Sequence, residues 1–325
     1  MTAAGTTEGR RILVTGATGF VGRHLVRNLA EAGPVRLRLL ADGAAIDDLP
    51  AAARPIAELV TPGPAGLRGL CDGVDAVLHL DLAHGARSVA SIRRRNVDAT
   101  LTLALQAAEA GVRRFVMLAG GGADDRPLDQ AGPHRATTRL AEAGLRELAT
   151  RTGLAPIIIR PCLMAGEGQT GGPLLTLFRL CRHGVFPAMG DLGLSRSIVD
   201  VEDVAKALIL AIDQGEPGSG YPVSSGVHHE FGELLAVAGT LVGNPRPYLR
   251  LPRPVGRWTL AAGDRMARLV RHAPPWSDDL VDLLLGHGRA NIERTRRELG
   301  YAPHFRDLRA MLARTYAWFG MSGQL

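Results

Sequence analysis

Short apolar runs alternate with longer stretches of helical period through the first half of the chain. Arg11–Thr15 reads as a buried strand, followed by an amphipathic helix over Gly22–Ala32 that Gly33-Pro34 closes. Val35–Leu40 predicts a second strand and Ala76–Leu80 a third, with Phe115–Leu118 and Pro156–Ile159 after them. Asn96–Ala110 and Pro133–Thr152 carry the helical period, and each stops at a glycine, Gly111 and Gly153. Strands separated by helices predict an α/β chain with a doubly wound parallel sheet, whose ligands bind at the carboxyl ends of the strands.

After Arg160-Pro161 the pattern loosens. Glycine and proline rise over 166–173, and the stretch to Ser197 reads as loop. Val201–Asp213 predicts an amphipathic helix, Tyr221–Ser225 a short strand and Glu230–Gly243 another helix. Residues 244–290 fit no element, whereas Asn291–Leu299 and Phe305–Phe319 read as helices around Gly300-Tyr301-Ala302-Pro303. The expected division is a nucleotide-binding unit over 1–165 that also receives 198–220. A smaller C-terminal α+β substrate lobe is expected from 166–197 and 221–325.

Composition changes this picture little. The net charge is +6, almost all of it arginine interleaved with acids, and no basic stripe with aromatic partners points to nucleic acid. Cys71, Cys162 and Cys181 show neither disulfide nor zinc spacing. With no apolar run of membrane-spanning length and no signal-like start, the expectation is a cytoplasmic protein that acts on a small molecule.

The chemistry begins at Gly16-Ala17-Thr18-Gly19-Phe20-Val21-Gly22, between the first strand and first helix. The first glycine permits the turn, the second lets backbone approach a pyrophosphate, and the third lets helix and strand pack closely. This spacing makes the sheet Rossmann-like and resembles the extended short-chain dehydrogenase/reductase family, the NAD-dependent epimerase/dehydratases. Further motifs fall in the family's order: Asp75–Leu80, Asn96-Val97-Asp98-Ala99-Thr100, Arg160-Pro161, Val199–Ala205 and Leu299–Pro303. The resemblance implies an NAD or NADP site at Gly16, Thr18, Gly19, Phe20, Val21, Gly22, Leu80, Asn96 and Pro161. It also implies a homodimer through helices 96–110 and 134–152.

One part of the pattern is broken. Members of that family use a tyrosine with a lysine four residues on, and a Ser or Thr after the preceding strand. Here Tyr221, Tyr248, Tyr301 and Tyr316 all lie in the C-terminal third, and Lys206 is the sole lysine. Anchored on Glu142, the helix starting at Pro133 puts His134 at the tyrosine position and Thr138 at the lysine position. Ala119-Gly120-Gly121-Gly122-Ala123 stands where the hydroxyl belongs. An imidazole can give or take a proton near neutral pH, so His134 is the candidate acid or base. Asp81 replaces the family's alanine after the third strand, and with His84 or His134 it is a candidate acid–base partner. The plainer readings are a polar residue at a helix start for His134 and a helix-capping loop carboxylate for Asp81.

Cofactor choice has opposing signals. Asp42 at the end of strand two favours NAD and Arg38 favours NADP, while Glu58-Leu59 stands in for an adenine-side Asp-Leu. The missing triad predicts a redox-neutral lyase, isomerase or cyclase, or a divergent epimerase or reductase. The rival from another class is a non-catalytic nucleotide-binding sensor or structural subunit.

Overall fold

The computed structural model describes residues 9–40, 49–61, 67, 69–82, 89–120, 133–189, 192–244, 246–251 and 288–325. Its main sheet contains β1 (Arg10–Thr15), β2 (Val35–Leu40), β3 (Ala57–Val60), β4 (Ala76–His79), β5 (Arg114–Leu118), β6 (Ala155–Pro161) and β10 (Gly220–Val223). The strand order is β10-β6-β5-β4-β1-β2-β3 and every pairing is parallel. Strand order therefore turns back between β1 and β4, and a crevice opens at their carboxyl ends.

Both faces of the sheet are covered, as a parallel sheet requires. On one face Ile12, Val14, Leu78, Ile157 and Ile159 pack against α1 (Phe20–Ala32) and α6 (Val201–Gln214). On the other, Leu13, Val77, Phe115 and Ile158 meet α3 (Ala99–Glu109) and α4 (Pro133–Thr152). The helix α2 (Val89–Arg93) runs into a single π turn over Arg94–Asp98 and then into α3. Helix α6 starts where the Asp200 carboxylate accepts the Glu202 N–H at 3.0 Å, with Glu202 and Asp203 in its first turn.

The smaller lobe is built on β7 (Leu163–Ala165), β9 (Ser195–Asp200) and β11 (His228–Glu230), with a separate pair of β8 (Phe186–Met189) and β12 (Tyr248–Leu251). Helices α5 (Pro173–Arg182), α7 (Phe231–Leu241) and α9 (Leu308–Met321) enclose its core around Phe178, Phe186, Phe231 and Phe319.

Two expectations need correction. The stretch to Ser197 is not all loop: after irregular residues 166–172, α5 occupies part of it, with Pro173 in its first turn after Gly172. The two residues that read as breakers start the helix, since proline at the first position removes an N–H that has no partner there. Leu174, Leu177, Phe178 and Cys181 then form the buried stripe. The second concerns the lobe boundary. β10 pairs with β6 in the main sheet, so Tyr221–Val223 does not belong to the small lobe. Ile292, Leu299 and Tyr301, around α8 (Glu293–Leu299), likewise join the main core. Among the described residues, no helix is long and apolar enough to cross a membrane.

Candidate functional site

The glycine loop forms a cradle at the end of β1. Gly16 has φ +69°, and a Cβ there would stand 3.0 Å from the Asp81 nitrogen and 3.1 Å from the Leu80 carbonyl carbon. The Gly19 N–H donates to the Gly16 carbonyl at 3.0 Å, and a Cβ on Gly22 would lie 2.0 Å from that same oxygen. Glycine at positions 16 and 22 is therefore a steric requirement of this turn. Gly19 caps α1, which begins at Phe20 and Val21 and carries neither a side-chain cap nor an acid in its first turn. Arg23 donates to the Thr18 carbonyl at 3.1 Å and so ties the loop to the helix. A helix start left uncapped behind a glycine turn offers free N–H groups and a positive dipole end to a diphosphate. The residues present fit a dinucleotide at this position.

The end of β4 meets this cradle. Thr15 Oγ1 and His79 Nδ1 are 2.8 Å apart, and His79 Nε2 lies 2.8 Å from Thr100 Oγ1. Burial pulls the His79 pKa down to about 4, and the charge of Asp81 opposes that shift. Thr15 Oγ1 also accepts from the Leu80 and Asp81 N–H groups, at 3.2 and 3.3 Å. The Asp81 carboxylate turns outward and accepts from Arg95 at 2.9 Å. Between the ends of β1, β2 and β4 lies a cavity of ≈ 200 Å³, with Asp81 and Arg95 among its lining residues.

A third group assembles where β5 ends and α4 begins. His134 is buried at 8% exposure, and a Cβ on Gly120 would stand 2.8 Å from its Nε2. The imidazole thus lies directly over the second residue after β5, closer than a Cβ there would allow without a shift of the ring. Asn96, fully buried on the π turn, reaches both His134 Nδ1 and Thr137 Oγ1 at 3.2 Å. Thr137 and Thr138 donate to the His134 carbonyl at 2.8 and 2.9 Å. Further along α4, Glu142 pairs with Arg160 of β6 and, at 3.5 Å, with Arg146, which pins the helix to the sheet. Burial pushes the Cys162 thiol up to about 12, so it carries no thiolate beside Pro161 at neutral pH.

Several candidate residues stand elsewhere than expected. Asp81 pairs with Arg95 and His134 with Asn96, so no Asp81–His134 pair forms. Arg38 is committed to the carbonyls of Leu70 and Asp72 at 2.9 Å and to Glu58 at 3.1 Å, so it serves that turn and not a ribose phosphate. Leu59, beside Glu58 on β3, packs against the main core. The Thr138 hydroxyl faces its own helix, and the Asn96 amide faces α4. His84 and Asp42 lie outside the described residues. Two participants escaped the sequence reading. Gly120 carried a signal, the glycine run 120–122 that follows β5 and Ala119, whereas the partner of Asp81 could have been any of the consecutive Arg93, Arg94 and Arg95.

Comparison with known proteins agrees with this geometry. The pattern of the NAD dependent epimerase/dehydratase family matches residues 12–223. The chain is 29% identical to sterol demethylase protein B of Methylococcus capsulatus, over 96% of this chain and 99% of that protein. It is 30% identical to a ceramide reductase of Caulobacter vibrioides over 76% of each. The WbmF enzyme of Bordetella bronchiseptica, solved with NAD+ and UDP, shares the fold with a TM-score of 0.73 and 22% identity, over 97% of this chain and 94% of that one. The order of motifs, the glycine cradle and the seven-stranded sheet have one common explanation: the chain belongs to the NAD-dependent epimerase/dehydratase family.

Proposed function

We propose that this family member is an enzyme in which His134 exchanges a proton with a substrate oxygen, in place of the missing tyrosine. The observation that carries the reading is the position of His134, with Nε2 over Gly120 and Nδ1 held by Asn96. With the Asn96 N–H donating to Nδ1, the proton of a neutral imidazole resides on Nε2, toward the end of β5. The dinucleotide, when bound, supplies a hydride donor or acceptor. The chain's own part is to orient the imidazole through Asn96 and Thr137 and to fix α4 through Glu142 and Arg160.

The relatives favour a secondary alcohol or ketone on a lipid-like molecule as substrate. They include sterol demethylase protein B, a farnesyl-dihydroquinoline-oxide ketoreductase, a 3 beta-hydroxysteroid dehydrogenase/isomerase and a ceramide reductase. A second reading, in which the dinucleotide is bound but not turned over, draws support from Thr138. Its hydroxyl is used within α4, so Thr138 does not supply the ribose contact of the lysine. Homodimer formation through α3 and α4 belongs to the same proposal, supported by Leu105 and Leu140, which are 44% and 48% exposed on those helices.

The deciding experiment identifies any nucleotide released on denaturation and follows NADH or NADPH consumption with a panel of lipid ketones. The proposal expects His134→Ala to lower turnover by about 10²–10⁴-fold while dinucleotide still binds. Unchanged turnover in that variant would refute the role of His134. Bound nucleotide that never changes redox state would favour the redox-neutral reading.

A further inference from the structure

We propose that the small lobe carries a docking surface for an anionic lipid bilayer, formed by the outer face of the β8–β12 pair and the two turns that lead into it. Such a contact needs no turnover and stands apart from the role of His134.

Strand alternation sets the apolar part of the surface. Phe186 and Ala188 of β8 are buried, and Tyr248 of β12 packs against the same core. Val185, one residue before β8, and Leu249 of β12 therefore face outward, where they are 53% and 57% exposed. Phe186 pairs with Tyr248 and Pro187 with Leu249, so Val185 and Leu249 are diagonal neighbours on that face.

Two turns set the cationic part. Asn244 Nδ2 donates to the Cys181 carbonyl at 2.9 Å, near the end of α5, and Asn244 Oδ1 accepts the Arg246 N–H at 3.0 Å. A Cβ on Gly184 would stand 3.2 Å from the Arg246 carbonyl oxygen. The turns over 181–184 and 244–246 are thus held against each other, and Arg182, His183 and Arg246 are exposed on them at the entrance to the strand pair.

The missing acids identify the partner. Exposed arginines elsewhere have carboxylates beside them: Arg10 has Asp213, Arg151 has Glu147 and Arg294 has Glu298. Segments 173–189 and 234–251 contain no Asp or Glu, and among the described residues no ion pair engages Arg182 or Arg246. A second copy of this face would set like charge against like. A bilayer with anionic headgroups offers phosphate to the arginines and an acyl boundary to Val185 and Leu249. With so few groups the contact is weak and reversible, half-complete at roughly millimolar lipid.

The test is co-sedimentation of the full chain with vesicles of phosphatidylcholine containing phosphatidylglycerol, against phosphatidylcholine alone. Binding is expected to the anionic vesicles only, and it should fall as salt is raised. Arg182→Gln with Arg246→Gln should weaken it about 10- to 50-fold, roughly fivefold per arginine. Leu249→Gln should weaken it about 3- to 10-fold and keep the salt dependence. Arg36→Gln with Arg151→Gln removes the same charge from β2 and α4, and should leave binding within roughly twofold. Circular dichroism checks that each variant keeps the fold. Equal binding to both vesicle types, an equal loss in the Arg36 and Arg151 variant, or full affinity without Arg182 and Arg246 would overturn the proposal. So would no binding to either vesicle, and self-association that Leu249→Gln abolishes would then assign this face to a second copy of the chain.

Discussion

Acidification should destabilise this protein through His79 before Glu202 is reached. The ring is 4% exposed, fixed between Thr15 and Thr100, with the Phe115 ring centroid 5.9 Å away. Burial holds its pKa at about 4, against 6.5 for the free side chain. Between those values the unfolded chain binds a proton that the folded chain refuses, so stability rises with pH and falls as the solution is acidified. Worked through linkage, the loss from about pH 7.5 to about pH 4.5 comes to about 2.5 kcal/mol, most of it below about pH 6. The assay is urea unfolding at intervals across that range, for the wild type and for His79→Gln, which cannot titrate. Subtracting the two curves removes every other ionisable group. The difference should narrow by about 2.5 kcal/mol toward the acid end. Two curves that run parallel throughout would refute the assignment of a neutral, buried imidazole.

Glu202 governs a lower window. Burial alone would raise its pKa, but His24 and Arg27 outweigh that and hold it at about 2. Its contribution is complete above the ordinary carboxylate range and is lost as pH falls toward about 2; Glu202→Gln should cost about 1–3 kcal/mol at neutral pH and flatten that acid limb in thermal melts. Gly22→Ala drives a methyl into the Gly16 carbonyl, so it should cost about 1–3 kcal/mol in denaturant titrations and weaken dinucleotide binding, followed by NADH fluorescence. Gly120→Ala pushes the His134 ring off its place, and turnover should fall further than the roughly 1–3 kcal/mol loss of stability alone explains. Leu140→Glu on α4 should shift sedimentation from dimer to monomer; an unchanged sedimentation coefficient would remove that helix from any interface.

Local pattern carried the architecture because local pattern is its cause. Apolar runs such as Ile12–Val14 and Ile157–Ile159 bury both faces of a strand, Gly22 is dictated by distances within its own turn, and Gly16 by its positive φ as well as by the approach of Leu80 and Asp81. Signals that depend on context have no local solution. Gly172-Pro173 looks the same in a loop as at a helix start, and only the packing of Leu174, Leu177 and Phe178 distinguishes the two. Tyr221–Val223 reads as a strand in either lobe, and its partner is chosen by the free edge of β6.

The sequence by itself determined the family, the glycine turn between β1 and α1 and the absence of a tyrosine–lysine pair. The tertiary structure decided how the remaining polar groups are shared out. It gave Asn96 to His134, Arg95 to Asp81, and Arg38 to the carbonyls of Leu70 and Asp72. These pairs span 38, 14 and up to 34 residues of chain. A side chain with several chemically equivalent partners in sequence has its choice made by the sheet and helices that bring one of them within reach.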